Sequence, residues 1–160
     1  MNQAEDSFRQ YPAAMVNITN RCTLRCKHCF VYRDGNPNDR KEEMDTPTML
    51  ENLAGLKRRH GIRAMLWMGG EPLLRPDVLQ DGVKLFARNT ITTNGMLAPV
   101  ELPNCTYVIS VDGPPGLNDA IRGKGTFRKV METLSHIPEK FASTIMGNGG
   151  LNGGLNGGRS

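Results

Sequence analysis

Short apolar stretches alternate with longer mixed segments along this chain, and the alternation predicts repeated strand–helix units. Ala13–Thr19 reads as a first strand that runs into a loop rich in cysteine. Asp45-Thr46-Pro47 predicts a helix start with Thr46 as cap and Pro47 in the first turn, and Leu50, Leu53 and Leu56 keep helical spacing up to a stop at Gly61. Arg63–Met68 is a continuous apolar run of the kind found in buried parallel strands, and it breaks at Gly69-Gly70. Pro76-Asp77 opens a second helix whose apolar side carries Val78, Leu79, Val83, Leu85 and Phe86. Thr90–Thr93 and Tyr107–Val111 are further strands, ending in Asn94-Gly95 and Asp112-Gly113 respectively. Phe127, Val130, Met131, Leu134 and Ile137 give a helix over 126–137, and Phe141–Met146 opens a fifth strand.

Strands separated by helices indicate right-handed βαβ units and a parallel sheet. In such sheets the chemistry gathers beyond the carboxyl ends of the strands. The cysteine loop, Gly69-Gly70-Glu71, Thr93-Asn94 and Ser110-Val111-Asp112 are therefore expected on one edge. The division expected is an N-terminal extension over 1–12, an α/β core over 13–146, and a tail over 147–160. That tail repeats Asn-Gly-Gly-Leu and has almost nothing to bury, so it reads as a flexible segment attached where a fifth unit should continue.

Composition changes this picture little. At 160 residues, 38% hydrophobic and 22% charged, the chain has the make-up of one globular domain. No apolar run approaches bilayer length, the N-terminus lacks signal-peptide character, and a cytoplasmic location follows as the expectation, with no membrane partner. The net charge of +4 is modest, and Lys57-Arg58-Arg59 reads as a solvated helix end. Without aromatic residues between the charges, no nucleic-acid partner is expected.

Cys22, Cys26 and Cys29 stand at C-x3-C-x2-C spacing within one loop. Thiolates hold iron–sulfur clusters, and close spacing lets one loop wrap a compact cubane. Three thiolates on four irons leave one iron open to a substrate or cofactor. The alternative is a structural zinc, which wants four ligands; His28 or Cys105 would have to complete the set. Cys105 by itself reads as a plain buried or loop cysteine, and Met65 and Trp67 read as core.

The cysteine spacing after a first strand, joined to Gly69-Gly70-Glu71-Pro72, Thr92-Thr93-Asn94-Gly95 and Ser110-Val111-Asp112-Gly113-Pro114 in that order, resembles the radical S-adenosylmethionine (SAM) superfamily over residues 11–141. The later segments most resemble its peptide-modifying, SPASM-type and molybdopterin-type branch. The resemblance implies an α/β partial (βα) barrel with a parallel sheet, of which four to five units are present. It implies that Cys22, Cys26 and Cys29 bind a [4Fe–4S] cluster, with SAM chelating the fourth iron. It also implies reductive cleavage of SAM to a 5′-deoxyadenosyl radical that abstracts hydrogen from a substrate.

The same resemblance sets His28 beside the adenine, Gly69, Gly70 and Glu71 about the SAM amino group, Thr93 and Asn94 at the cofactor, and Ser110, Asp112 and Arg122 on its ribose and carboxylate. No catalytic side chain beyond the cluster ligands is assigned. A small-molecule or peptide substrate and a reductant such as flavodoxin or ferredoxin are the implied partners. Pro37, Asn38 and Asp39 are candidate substrate contacts. The family fold has more βα units than this chain supplies, so a truncated, non-catalytic cluster-binding fragment stands beside the enzyme as a second reading, and the cysteine set leaves a zinc-stabilised domain as a third.

Overall fold

In the computed structural model, residues 9–29, 31–32 and 42–137 are described, together with the backbone of 142–146. Five strands, β1 (Ala13–Asn17), β2 (Ala64–Met68), β3 (Arg88–Thr93), β4 (Cys105–Val111) and β5 (Ala142–Met146), form one sheet in sequence order. Every neighbouring pair is parallel, and β1 and β5 lie at opposite edges of an open sheet. The expected partial barrel is thus present as an unclosed parallel sheet. The Pro37–Asp39 segment and the Asn148–Gly158 repeat lie outside the described residues.

Helix α1 (Thr46–His60) joins β1 to β2, and α2 (Pro76–Gly82) joins β2 to β3. The cap of α1 is Asp45 rather than Thr46: its carboxylate accepts from Thr48 N at 2.9 Å, and Thr46 already lies within the helix. A carboxylate is a full acceptor at the positive helix end, so it takes the site that the neighbouring hydroxyl leaves. Gly61 closes α1 in the left-handed region at φ 65°, as expected of a glycine stop. The basic last turn, Lys57 to Arg59, is exposed.

Two features depart from the regular strand–helix alternation. No helix joins β3 to β4; the connection over 94–104 is a loop. Between β4 and β5 there are two helices, α3 (Pro115–Arg122) and α4 (Thr126–Ser135), and only the second was expected from the apolar spacing. Pro115 sits in the first turn of α3, where its missing N–H costs nothing.

Helices α1, α2 and α4 share one face of the sheet. Met65, Trp67, Ile91 and Tyr107 point to that face and pack with Leu53 of α1 and with Val78 and Leu79 of α2. Trp67 is fully buried, donates its indole N–H to Asn89 Oδ1 at 2.9 Å, and meets Phe86 edge-on. A smaller cluster of Ile109, Val111 and Val130 holds α4 against β4. Cys105 is the buried cysteine expected, its thiol pushed up to about 11 by burial. These two cores leave the carboxyl ends of the strands together on one edge.

Candidate functional site

At that edge a cavity of about 150 Å³ is lined by Cys22, Cys26 and Cys29, and by Gly69 and Gly70 beyond β2. His28, Thr93, Asn94, Ser110 and Arg122 complete its expected wall. Ten of the twelve site residues named from sequence therefore meet at one cavity, and the other two, Glu71 and Asp112, stand behind the wall. A larger cavity of about 580 Å³ lies between the β3–β4 loop and α4, but it carries no thiol.

The cysteine loop is tied down at its root. Gly70 N donates to Thr19 O at 2.9 Å and Glu71 N to Arg21 O at 2.8 Å, so the loop crosses directly over the end of β2. A β-carbon on Gly70 would stand 2.2 Å from Arg21 O, and one on Gly69 2.6 Å from Thr19 O. The glycines are thus required by the loop's own backbone, in addition to any ligand that approaches the cavity. Tyr32, whose hydroxyl donates to Asn20 O, presses on the same glycine; burial pushes it up to about 12.

Glu43 and Arg75 form a second tie that the sequence did not reveal. Glu43 accepts from Thr19 Oγ1 and from Asn20 N and pairs with Arg21 at 3.3 Å. Burial alone would raise its carboxyl, but these donors and the two arginines outweigh it and hold it below the usual range. Arg75, buried beneath the loop, pairs with Glu43 and Asp77 and donates to Ile18 O and Met44 O. In sequence, Glu43 belongs to a Lys-Glu-Glu run that reads as solvated, and Arg75 precedes a helix-opening proline. Neither context signals a partly buried ion pair.

Behind the cavity wall, Glu71 is wholly buried. Its carboxylate accepts from Leu73 N at 3.1 Å, Thr93 Oγ1 at 2.8 Å and Asn94 N at 2.9 Å. Burial pushes its carboxyl above the ordinary value, and the three donors offset only part of that rise. Asn94 turns its side chain toward the loop: Nδ2 donates to Thr23 Oγ1 at 3.0 Å and lies 3.6 Å from Cys22 Sγ.

On the far side, Asp112 Oδ2 stands 2.6 Å from Arg122 Nε and 3.3 Å from His28 Nε2. The contact to Nε is close but off the hydrogen-bond line, so it acts as an ion pair. Asn118 Oδ1 accepts from Asp112 N, and Lys27 N donates to Ile121 O at 3.0 Å, which fixes the tip of the cysteine loop to α3. His28 itself is half exposed.

The donor set fits an iron–sulfur cubane. Three thiols share one cavity and act on one another: burial raises Cys22 and Cys26, and the neighbouring cysteines raise Cys26 further while Arg122 lowers it. Among the described residues no three His, Cys, Asp or Glu side chains converge on a single ion. Thiolates are the ligands that hold iron–sulfur clusters, so three thiols lining one cavity are a donor set of the right chemistry.

Comparison with known proteins gives the same frame. The chain is 33% identical over 141 residues to molybdenum cofactor biosynthesis protein 1 of Mus musculus, covering 79% of this chain and 22% of that protein. It is 30% identical over 145 residues to Fe-coproporphyrin III synthase of Methanosarcina barkeri, covering 81% and 34%. The chain thus spans about a fifth to a third of the length of these relatives. A solved structure described as native anSMEcpe with bound AdoMet and Cp18Cys peptide superposes with a TM-score of 0.65 at 18% identity, over 84% of this chain and 42% of that one. It shares the fold. The model of the radical SAM superfamily matches residues 16–153, and with most of its length accounted for in this way, the chain belongs to that superfamily.

Proposed function

We propose that this chain is the cofactor-handling first part of a radical SAM enzyme, in which Cys22, Cys26 and Cys29 hold a [4Fe–4S] cluster and the surrounding edge binds SAM. One observation carries the reading: three thiols, two glycines with no room for a side chain, and a buried-side arginine line the same cavity. When bound and reduced, the cluster supplies the electron that cleaves SAM to methionine and a 5′-deoxyadenosyl radical.

The chain's own residues do the positioning. Gly69 and Gly70 leave backbone exposed to the amino end of SAM, while Arg122, its Nε paired by Asp112, has the rest of its guanidinium for the carboxylate. Ser110 at the end of β4 offers a hydroxyl to the ribose, and His28 offers a ring to the adenine. Glu71 touches no ligand; with its oxygens taken by Leu73, Thr93 and Asn94, it fixes the wall. Cys22, Cys26 and Cys29 are partly exposed, which leaves the cavity open to a reductant such as flavodoxin or ferredoxin.

The names of the relatives point to different chemistry, Fe-coproporphyrin III in one and molybdenum cofactor in another, and one structural neighbour holds a peptide. Most of this chain is shared with relatives of such different names, which supports reading it as the cofactor-handling part and leaving substrate choice, small molecule or peptide, to the remainder of such enzymes. The open sheet favours a second reading, a cluster-binding piece without turnover.

Anaerobic reconstitution with iron and sulfide, followed by SAM and dithionite, separates the two. Release of 5′-deoxyadenosine that disappears in Cys26→Ala is the expected result. A four-iron cluster without that product would leave the non-catalytic reading, and a chain that takes up no cluster would sink both.

A further inference from the structure

Asn94 lies at the end of β3, seventy-two residues from Cys22 in sequence, yet its amide is committed to the cysteine loop. The orientation of that amide follows from its partners. Met96 N donates to Asn94 Oδ1 at 3.0 Å, so Oδ1 is the acceptor and Nδ2 must face the other way. Nδ2 then donates to Thr23 Oγ1 at 3.0 Å and reaches Cys22 Sγ at 3.6 Å, within range for a bond to sulfur. The backbone of Asn94 is itself fixed, because its N–H donates to the buried carboxylate of Glu71 at 2.9 Å. The same sulfur also accepts from Leu24 N at 3.5 Å. With Asn94 only 8% exposed, water does not compete freely for these contacts.

We infer that Asn94 is a positioning residue for the cluster rather than a contact for SAM: its side-chain amide donates to the Cys22 sulfur and raises the cluster's reduction potential. This rests on the reading that Cys22, Cys26 and Cys29 hold the cluster. The physical reason is that a donor to a ligand sulfur stabilises the negative charge added on reduction, and such bonds are among the levers that set the potential of iron–sulfur centres. Glu71 acts one step further back, since it holds the backbone from which the amide reaches.

The test is a potentiometric titration followed by electron paramagnetic resonance, on the reconstituted chain without SAM, with iron and sulfide per chain measured alongside. Asn94→Ala should keep the cluster and shift its midpoint to more negative potential. Asn94→Asp keeps the shape, loses the donor and adds negative charge, so its midpoint should fall further. Thr23→Val removes the other partner of the amide without touching the sulfur and should stay at the wild-type midpoint. Wild-type midpoints in Asn94→Ala and Asn94→Asp at equal iron content would overturn the inference. If Asn94→Ala fails to load, Asn94→Leu, which keeps the bulk and carries neither donor nor charge, decides by the same criterion. Failure of both to load, with unchanged melting of the metal-free chains, would also overturn it, leaving Asn94 as an assembly anchor only. A wild-type chain that holds no cluster would instead bring down the ligand assignment on which the inference rests.

Discussion

Two carboxylates stand behind the thiol cavity, one on the β2–β3 side and one on the β4–α3 side, and they are held in opposite ways. Glu71 meets only neutral donors, two backbone N–H groups and a threonine hydroxyl, and is sealed from water. Asp112 meets the charged guanidinium of Arg122 on one side and the His28 ring on the other, with Arg122 facing the cavity. The first arrangement is a fixed frame, because every donor in it is locked in backbone or buried side chain. The second is an exchangeable one, because a guanidinium that faces the cavity can take a second carboxylate while keeping the first. On the proposed function, the needs of holding the cysteine loop and receiving a charged cofactor fall on separate sides.

Removing Glu71 should have the largest effect on this contrast. Glu71→Ala leaves three buried donors without an acceptor and opens a void, so urea denaturation of the metal-free chain should show a loss of about 2–4 kcal/mol. Asp112→Ala should cost less, about 1–2 kcal/mol, because water in the cavity can resolvate Arg122. Its effect should show instead in SAM binding to the reconstituted chain, weakened about tenfold as the guanidinium loses its fixed direction. If Asp112→Ala unfolded the chain more readily than Glu71→Ala, the division into frame and exchangeable side would fail.

The smallest effect is one of pH. Burial raises the Glu71 carboxyl above its unfolded value, so the folded chain keeps the proton over a range where the unfolded chain has lost it. Its contribution to stability is complete below the unfolded glutamate value of about 4.3 and declines as pH rises through the folded value. The slope cannot exceed about 1.4 kcal/mol per pH unit for one proton. Urea titrations across this window should show the decline in the wild type and not in Glu71→Gln; equal slopes would mean that Glu71 is ionised on both sides of folding.

The frame was more legible in sequence than the ties within it. Strand β2 could be read because a buried parallel strand is a continuous apolar run, and Trp67 is fully buried as that pattern requires; β3 could be read from its short β-branched stretch, in which Ile91 is fully buried. The thiol, glycine, asparagine and serine positions could be read because each falls at or beyond the carboxyl end of a strand. Helix α3 escaped because Gly-Pro-Pro-Gly at 113–116 looks like a turn, and the helix begins inside it. Asn118, fully buried and bonded to Asp112 N and Thr126 Oγ1, gave no signal at all, since an asparagine after a leucine in a polar stretch reads as surface. Glu43 and Arg75 were hidden for the same reason: a partly buried ion pair joins residues thirty-two apart, and no local pattern carries that distance.

The loop that replaces a helix between β3 and β4 bears on the order in which the chain can be closed. Paired residues Asn89 and Cys105 are sixteen apart in sequence, whereas Ala13 and Ala64 are fifty-one apart. Chain closure over the longer span costs about 1 kcal/mol more entropy by the logarithmic scaling of loop length. The β3–β4 pair is therefore the least expensive contact from which the sheet can grow, and β1, with the cysteine loop behind it, joins at the highest entropic cost. The cysteine-bearing segment is thus laid onto a surface whose Glu71 and Asn94 contacts the rest of the chain can assemble first.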